Sequence, residues 1–374
     1  MRILVLCYEY PPLGGGGGRV AKSIAEQMVS RGYEVRVQTA ALGWHSQHET
    51  ISGVEVFRTA SGRRVPDTCG VHEMGLYVAT SFFPTLRHLR TWKPDVIHAH
   101  FAVPTGALAW AVHRLTGIPY VLTAHLGDVP GGVPEQTDTL FRLVDPVARR
   151  IWRDAAAATA VSSFVQEIAE RAYQRPVERI LNGIDLRDAP AAPPAPHHPR
   201  HLVFIGRLNP QKNPVFLFDA LARLLHLPWT LTFIGDGPLL REVQARIAHH
   251  GLAERVTCTG WLDSGAVHRV LAEGDILCLP SLSEGLPVVG IEALKHGLAI
   301  VASDIPGIRD VLDDGLNGYR VPLGDLDAFA QKLAHLLESD TTLFAMKQAS
   351  WEKARAFDLS RIADQYERVL STAR

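Results

Sequence analysis

The sequence predicts an α/β protein made of two doubly wound domains, each a mostly parallel sheet with helices on both faces. Three observations predict it. Short apolar runs alternate with longer amphipathic stretches along all 374 residues, the pattern of βα units. That length exceeds one ordinary core and suits two. A proline-rich break at 188–200, DAPAAPPAPHHPR, is followed by a fresh apolar run, HLVFIGRL.

In the first half the apolar runs place strands at 2–8, 34–39, 54–58, 95–100, 119–124, 157–161 and 178–182. Helical periodicity falls at 19–31, 75–92, 104–116, 136–154 and 163–174, and Gly32 stops the first of these. Five prolines in the thirteen residues of 188–200 fit neither helix nor central strand, so this segment reads as an extended, semi-rigid linker. The domains are then 1–187 and 201–355, with 356–374 as a C-terminal helix. Second-half strands are expected near 201–205, 230–234, 256–258, 275–279, 299–302 and 318–321. Helices are expected at 214–226, 238–249, 264–272, 287–296 and 325–338. The tail, 342–371, reads as one or two polar helices with an apolar stripe of Phe344, Trp351, Ile362 and Val369.

Composition excludes several classes. With 47% hydrophobic and 21% charged residues the chain reads as globular, and a formal net charge of −1 leaves no field to draw nucleic acid. No apolar run reaches the ~18 residues of a spanning helix. Met1-Arg2 leads directly into ILVLCYEY, too short and without the small-residue site of a signal peptide, so a cytoplasmic location is expected. Four cysteines form no CxxC pair; Cys7, Cys258 and Cys278 lie in strand-like runs and read as buried free thiols.

In doubly wound sheets ligands bind beyond the carboxyl ends of the strands, so the residues at those ends decide the chemistry. After strand 2–8 come Gly14 to Gly18. Their bare backbone lets a phosphate or sugar come close, or they simply turn the chain. A dinucleotide site is disfavoured, because EVRVQTA supplies no acidic residue after the second strand. After strand 201–205 the loop GRLNPQKN sets two cations, Arg207 and Lys212, before a helix. After strand 230–234, Gly235-Asp236-Gly237-Pro238 forms a tight turn. After strand 275–279 comes PSLSEGLPVVGIE, with Pro287 in the first helical turn, Glu284 in the loop and Glu292 inside the helix. The N–H groups of Leu286, Val288 and Val289 then form an anion site, which Gly285 leaves approachable. Cations and N–H groups suit phosphates, and carboxylates suit hydroxyls; together they describe a nucleotide-sugar.

The chain resembles the retaining glycosyltransferase family 4. The resemblance rests on EYPPLGGGGG, GRLNPQKN, GDGP, the TGWL turn and SEGLPVVGIE with its E-x7-E spacing, and it covers essentially the whole chain. It implies GT-B architecture: two doubly wound Rossmann-like domains facing each other across a cleft, with the C-terminal helix returning to the N-terminal domain. It implies transfer of a hexosyl unit from a UDP-sugar or GDP-mannose to a hydroxyl of a glycan, glycolipid or small molecule, with retention and without metal or other cofactor. Arg207 and Lys212 would bind the diphosphate, Glu284 a sugar hydroxyl and Glu292 the ribose. Gly260, Trp261 and Leu262 would line the base, and Gly16, Gly17 and Gly235 would also lie at the donor.

His125 ends strand 119–124, and the resemblance implies contact with the donor sugar near the reacting carbon; a structural histidine is the other reading. Asp128 either holds that loop or meets the acceptor, for which Gly15 and His100 are the further candidates. His98 and His100 share a strand face, but no other ligands converge on them for a metal. The D-x-D at 325–327 reads as helix capping. Segments 82–93 and 149–153 mix Phe82, Phe83, Trp92 and Trp152 with arginines. They read either as a surface lying on the inner membrane face or as solvated faces with aromatic core anchors. Two alternatives stay open, a nucleotide-sugar epimerase of the same fold and a non-catalytic sugar-nucleotide-binding module.

Overall fold

In the computed structural model, which describes residues 1–66 and 68–374 and, for 134–143, the backbone alone, the chain divides into two units. One is Met1–Gly183 together with Leu359–Arg374; the other is Ile184–Asp358.

The first unit opens with β1 (Arg2–Leu6), α1 (Gly16–Ser30), β2 (Glu34–Leu42), β3 (Gln47–Ile51) and β4 (Val54–Arg63). It continues through α2 (Val71–Thr91), β5 (Val96–His100), α3 (Thr105–Thr116), β6 (Tyr120–Ala124) and α4 (Pro134–Asp154). It ends with β7 (Ala157–Ala160), α5 (Ser163–Tyr173) and β8 (Glu178–Arg179). The sheet order is β3-β4-β2-β1-β5-β6-β7-β8, parallel except where β3 meets β4. Every residue of β5 and β6 is buried, as expected of strands covered on both faces. Strand β3 is absent from the sequence reading because Gln47-His48-Glu49-Thr50 has no apolar alternation; it is an exposed edge, joined to β4 by its backbone, by the Glu49–Arg58 ion pair and by His48 stacked on Phe57. The glycine run also differs from expectation. The helix begins at Gly16, so only Gly14 and Gly15 remain as loop ahead of it.

The second unit holds β9 (Arg200–Ile205), α6 (Pro214–Leu221), β10 (Trp229–Ile234), α7 (Leu240–His249), β11 (Val256–Gly260) and α8 (Ser264–Ala272). Then come β12 (Ile276–Leu279), α9 (Val288–Lys295), β13 (Ala299–Ser303), β14 (Gly318–Val321), α10 (Leu326–Glu338) and α11 (Asp340–Lys353). All its pairs are parallel, in the order β11-β10-β9-β12-β13-β14. Phe204 and Phe233 stack at 4.5 Å on one face of this sheet, and Phe218 packs beside them. Each such ring contributes ~1.5–3 kcal/mol by leaving water. Strand β11 is the other edge, so Cys258, expected to be buried, is exposed.

The proline-rich segment is not a free tether. Its Pro190 carbonyl accepts from Trp351 Nε1 at 2.8 Å, and His197 N donates to Asp275. Asp275 is fully buried beside Lys347, whose ammonium lies 2.9 Å from Oδ1. The segment is therefore strapped along the second unit. On α11 the buried positions are Leu343, Met346, Lys347 and Ser350, whereas Phe344, expected in the apolar stripe, is 41% exposed.

The last helix, α12 (Leu359–Ala373), returns to the first unit. It buries Ile362, Ala363, Tyr366, Val369 and Leu370. The Arg31 guanidinium donates to Glu367 at 2.5 Å and to the Ser360 carbonyl at 2.7 Å, and the Tyr33 hydroxyl also donates to Glu367.

Candidate active site

In the second unit β9 is followed by β10 on one side, while β12 pairs with its other side. The loops leaving β9 and β12 thus diverge at the point where the winding reverses, the place such sheets use for ligands. Four strand-end loops are stitched together there. Leu208 N donates to Asp236 O at 2.9 Å, Gly235 N to Gly260 O at 3.0 Å, and Leu282 N to Gln211 O at 2.7 Å. Gly235 is required by this closeness, since a Cβ there would lie 1.9 Å from the Gly206 carbonyl oxygen.

The expected donor residues meet on this frame. Asn209 caps a single 3-10 turn by accepting from Lys212 N, and this turn aims Lys212 back at the β12 loop. Lys212 Nζ lies 2.5 Å from Glu284 Oε1, and Ser281 Oγ donates to the same oxygen at 2.8 Å. Glu284 is 7% exposed, Glu292 is buried within α9, and Arg207 is half-buried in the β9 loop. Pro287 corrects the expectation of a first-turn residue: it is the N-cap, and its carbonyl accepts from Gly290 N at 2.9 Å. Leu286 and Val289 are buried, with Val288 at the first helical position. The N–H groups of Val288 and Val289, at the start of α9, have no acceptor within the helix, which leaves positive potential beside Glu284. Trp261 is 51% exposed just past β11, with Leu262 half-buried after it.

Three contributors escaped the sequence reading. Ser281 and Gln211 sit inside the motifs already quoted, but nothing in their spacing says that Ser281 holds Glu284 or that the Gln211 side chain donates to Ser283 O at 3.1 Å. Gly307 has no local signal at all; a Cβ there would meet the Glu284 carbonyl oxygen at 1.8 Å.

In the first unit the equivalent reversal lies between β1 and β5. Gly15 N donates to Glu9 Oε2 at 3.2 Å, and a Cβ on Gly15 would meet nothing within 4 Å among the described residues. A Cβ on Gly17 would instead come 2.4 Å from Phe101 Cζ and 3.2 Å from His125 Nδ1. Gly16 is the first helical residue between them. The Phe101 ring lies 4.3 Å from that of His125, and Phe101 itself has a φ of 72°. Behind His125, its Nε2 is 3.2 Å from His100 Nδ1, and His98 Nε2 is 2.8 Å from Thr123 Oγ1. Burial pushes His125 and His98 down to about 3 and His100 well below its ordinary value, so all three rings are neutral.

Two acceptor expectations are corrected. His100 is wholly buried beneath His125 and presents no surface. Asp128 is 2% exposed and accepts from three backbone N–H groups: Ala102 at 2.7 Å, and His125 and Leu126 at 2.9 Å each. Its carboxylate ties the loop after β5 to the loop after β6, so it braces the site and does not line it.

Two family models match the chain in tandem, one described as Glycosyltransferase Family 4 over residues 14–188 and one as Glycosyl transferases group 1 over 199–339. The chain belongs to glycosyltransferase family 4. It is a glycosyltransferase with the GT-B fold. Among its relatives, a phosphatidyl-myo-inositol mannosyltransferase of Mycobacterium leprae is 29% identical over this whole chain and 97% of that protein. An alpha-D-kanosaminyltransferase of Streptomyces kanamyceticus is 26% identical over 78% of this chain and 82% of that one. Among solved structures, sucrose-phosphate synthase from Thermosynechococcus elongatus superposes with a TM-score of 0.84 at 19% identity, covering 98% of both chains. Anabaena HepE in complex with UDP-glucose gives 0.79 at 20% identity over the full length of both.

In this glycosyltransferase the D-x-D motif is a helix start. Asp325 accepts from Ala328 N at 2.9 Å as the N-cap of α10, and Asp327 pairs with Arg223. Among the described residues no three His, Cys, Asp or Glu side chains converge as metal ligands. The aromatics of the two arginine-rich segments are largely core anchors. Trp92 is 6% exposed and donates to Glu34, Trp152 is fully buried against Tyr173, and Phe83 alone of the four is strongly exposed. No helix of the described residues is long and apolar enough to cross a membrane.

Proposed function

We propose that this glycosyltransferase transfers a hexosyl unit from a nucleoside-diphosphate sugar to a hydroxyl of a glycan, lipid-linked or small-molecule acceptor, with retention of configuration and without a metal ion. The observation that carries this reading is the Lys212–Glu284 pair at the β9/β12 reversal, beside the N-terminus of α9. A diphosphate seated there meets Lys212, Arg207 and the first-turn N–H groups. Glu284 keeps further lone pairs for a sugar hydroxyl, and Glu292 supplies a second carboxylate for the ribose. His125 is a sugar contact in the same reading.

As the bond from C1 to the diphosphate breaks, negative charge grows on the leaving oxygen, where fixed cations stabilise it most. The acceptor oxygen bonds to C1 on the same face and passes its proton to the departing phosphate. Neither glutamate is needed as a nucleophile in this scheme. The relatives named as mannosyltransferases support a mannosyl donor, and the solved neighbour holding UDP-glucose supports a uridine one.

The deciding experiment is a thermal-shift panel of UDP-, GDP- and ADP-sugars, since ligands that bind the native state raise the melting point. Transfer with the best donor is then followed by NMR of the product anomer, with and without EDTA. An inverted product or loss of transfer in EDTA overturns the mechanism. Conversion of the donor sugar without any acceptor favours an epimerase.

A further inference from the structure

We propose that His100 is a positioning residue: it fixes His125 as the tautomer protonated on Nδ1, so that His125 meets its ligand as a neutral hydrogen-bond donor and not as a base.

The two rings share one hydrogen bond, between His100 Nδ1 and His125 Nε2 at 3.2 Å. Burial keeps both neutral, so each ring carries a single proton. Two arrangements satisfy that count. In the first, His125 Nε2–H donates to His100 Nδ1, and the His100 proton then sits on Nε2. That atom is buried and, among the described residues, without a partner. In the second, His100 Nδ1–H donates to His125 Nε2, and the His125 proton sits on Nδ1.

The second arrangement leaves only a lone pair unmet in the interior, whereas the first orphans an N–H donor there. Buried N–H groups go unmet more rarely than buried acceptors do. His125 Nδ1 lies on the side of Gly17, where a Cβ would approach it to 3.2 Å, at the start of α1. A proton on Nδ1 therefore points toward the first turn of α1. The ring is held in that plane by Phe101 on one side and by its backbone N–H bond to Asp128 below. His100 in turn is fixed by the His98 ring, 4.2 Å away, and His98 by Thr123. A donor at this point fits an oxygen acceptor, a sugar hydroxyl or a phosphate oxygen. It cannot take a proton from an attacking hydroxyl.

The consequence for activity rests on the reading of His125 as a ligand contact; the tautomer itself does not. The test is long-range 1H–15N correlation of the full chain labelled with 15N-histidine, the His125 signals being those lost in His125→Gln. In the wild type Nδ1 should be the protonated nitrogen. His100→Leu should move His125 to the Nε2–H form or to a mixture and lower kcat by ~10-fold or more, as for a lost transition-state contact, with KM little changed. His100→Asn, whose amide N–H reaches the place of Nδ1, should restore both the spectrum and most of the turnover. A wild-type spectrum with His125 protonated on Nε2 overturns the proposal without any variant. So does an unchanged His125 tautomer in folded His100→Leu. A changed tautomer with unchanged turnover upholds the positioning role and removes His125 from the ligand contacts.

Discussion

The Lys212 ammonium lies 2.5 Å from Glu284 Oε1, although 71 residues separate them in the chain, and Ser281 completes the hold on that oxygen. A cation and a carboxylate expected to serve different parts of one ligand are thus a single unit before the ligand arrives. Glu284 fixes where Lys212 waits, and Lys212 with Ser281 fixes how the Glu284 carboxylate is turned.

Residues that act as a unit do not contribute independently. Lys212→Ala and Glu284→Ala should each lower kcat/KM by at least ~10²-fold, the cost of a lost transition-state contact, with the fold intact by circular dichroism. The double variant should lose far less than the product of the two. Multiplying losses in the cycle would show that the pair is incidental to transfer.

Away from the site, Lys347 and Asp275 form an ion pair in which neither side chain is exposed. Burial pushes Lys347 below its ordinary value more than Asp275 lifts it; burial opposes ionisation of Asp275 too, but Lys347 and its hydrogen bonds hold it below the usual carboxylate range. Removing one partner strands the other charge, so Lys347→Met should cost ~3–5 kcal/mol in urea unfolding. The folded Asp275 value lies below the unfolded one, near ~4, so its contribution is present above that pH and is lost as pH falls through the folded value. The variant should lack that acid step below pH ~4. An unchanged urea midpoint would mean that α11 and the strap at 190–197 hold the unit without this pair.

The sequence made the sheets legible wherever strands are buried on both faces, because Ile3–Leu6, Val96–His100 and Tyr120–Ala124 are short runs bounded by turn residues. It hid β3, an exposed edge strand without apolar alternation, and it hid the start of α1, because glycine propensity argues against helix. The loops after β9 and β12 were legible as motifs, since charge and helix N-terminus lie within a few residues of each other. The bracing was not. Asp128 joins two loops, Gly307 backs Glu284 from 23 residues away, and His100 lies under His125, all contacts set by strand order and not by spacing.

The buried histidines predict a pH response of their own. With folded values near 3 for His98 and His125, none of the three rings titrates in the native state between pH 5 and 8. In the unfolded chain they take up protons below ~6.5. Between those limits the unfolded state binds more protons, so stability falls as the pH drops from ~6.5 toward 4, above the Asp275 window. Urea midpoints across pH 7 to 4 should therefore decline, and His98→Gln should flatten the decline. The profile of kcat/KM should carry no inflection that disappears in His125→Gln between pH 6 and 8; one that does would place a titrating imidazole at the reaction.

The glycine run was open to two readings, a ligand surface or a bare turn, and its positions differ in what an added side chain would meet. A methyl group on Gly17 would collide with the Phe101 ring at 2.4 Å and crowd His125, so Gly17→Ala must move groups of the site itself. Its activity should fall by ~10-fold or more with a modest loss of stability, because a side chain and not backbone has to give way. Gly15 is different: among the described residues a Cβ there meets open space, and its φ of −117° is outside the left-handed range that favours glycine. Gly15→Ala should therefore leave the melting midpoint where it is. Should the loop only turn the chain, activity would be untouched as well. A ligand seated against the backbone of Gly15 would instead feel the new methyl group directly, raising KM for one substrate by several-fold at an unchanged melting midpoint. Initial rates varied in donor and acceptor separately identify which substrate that is.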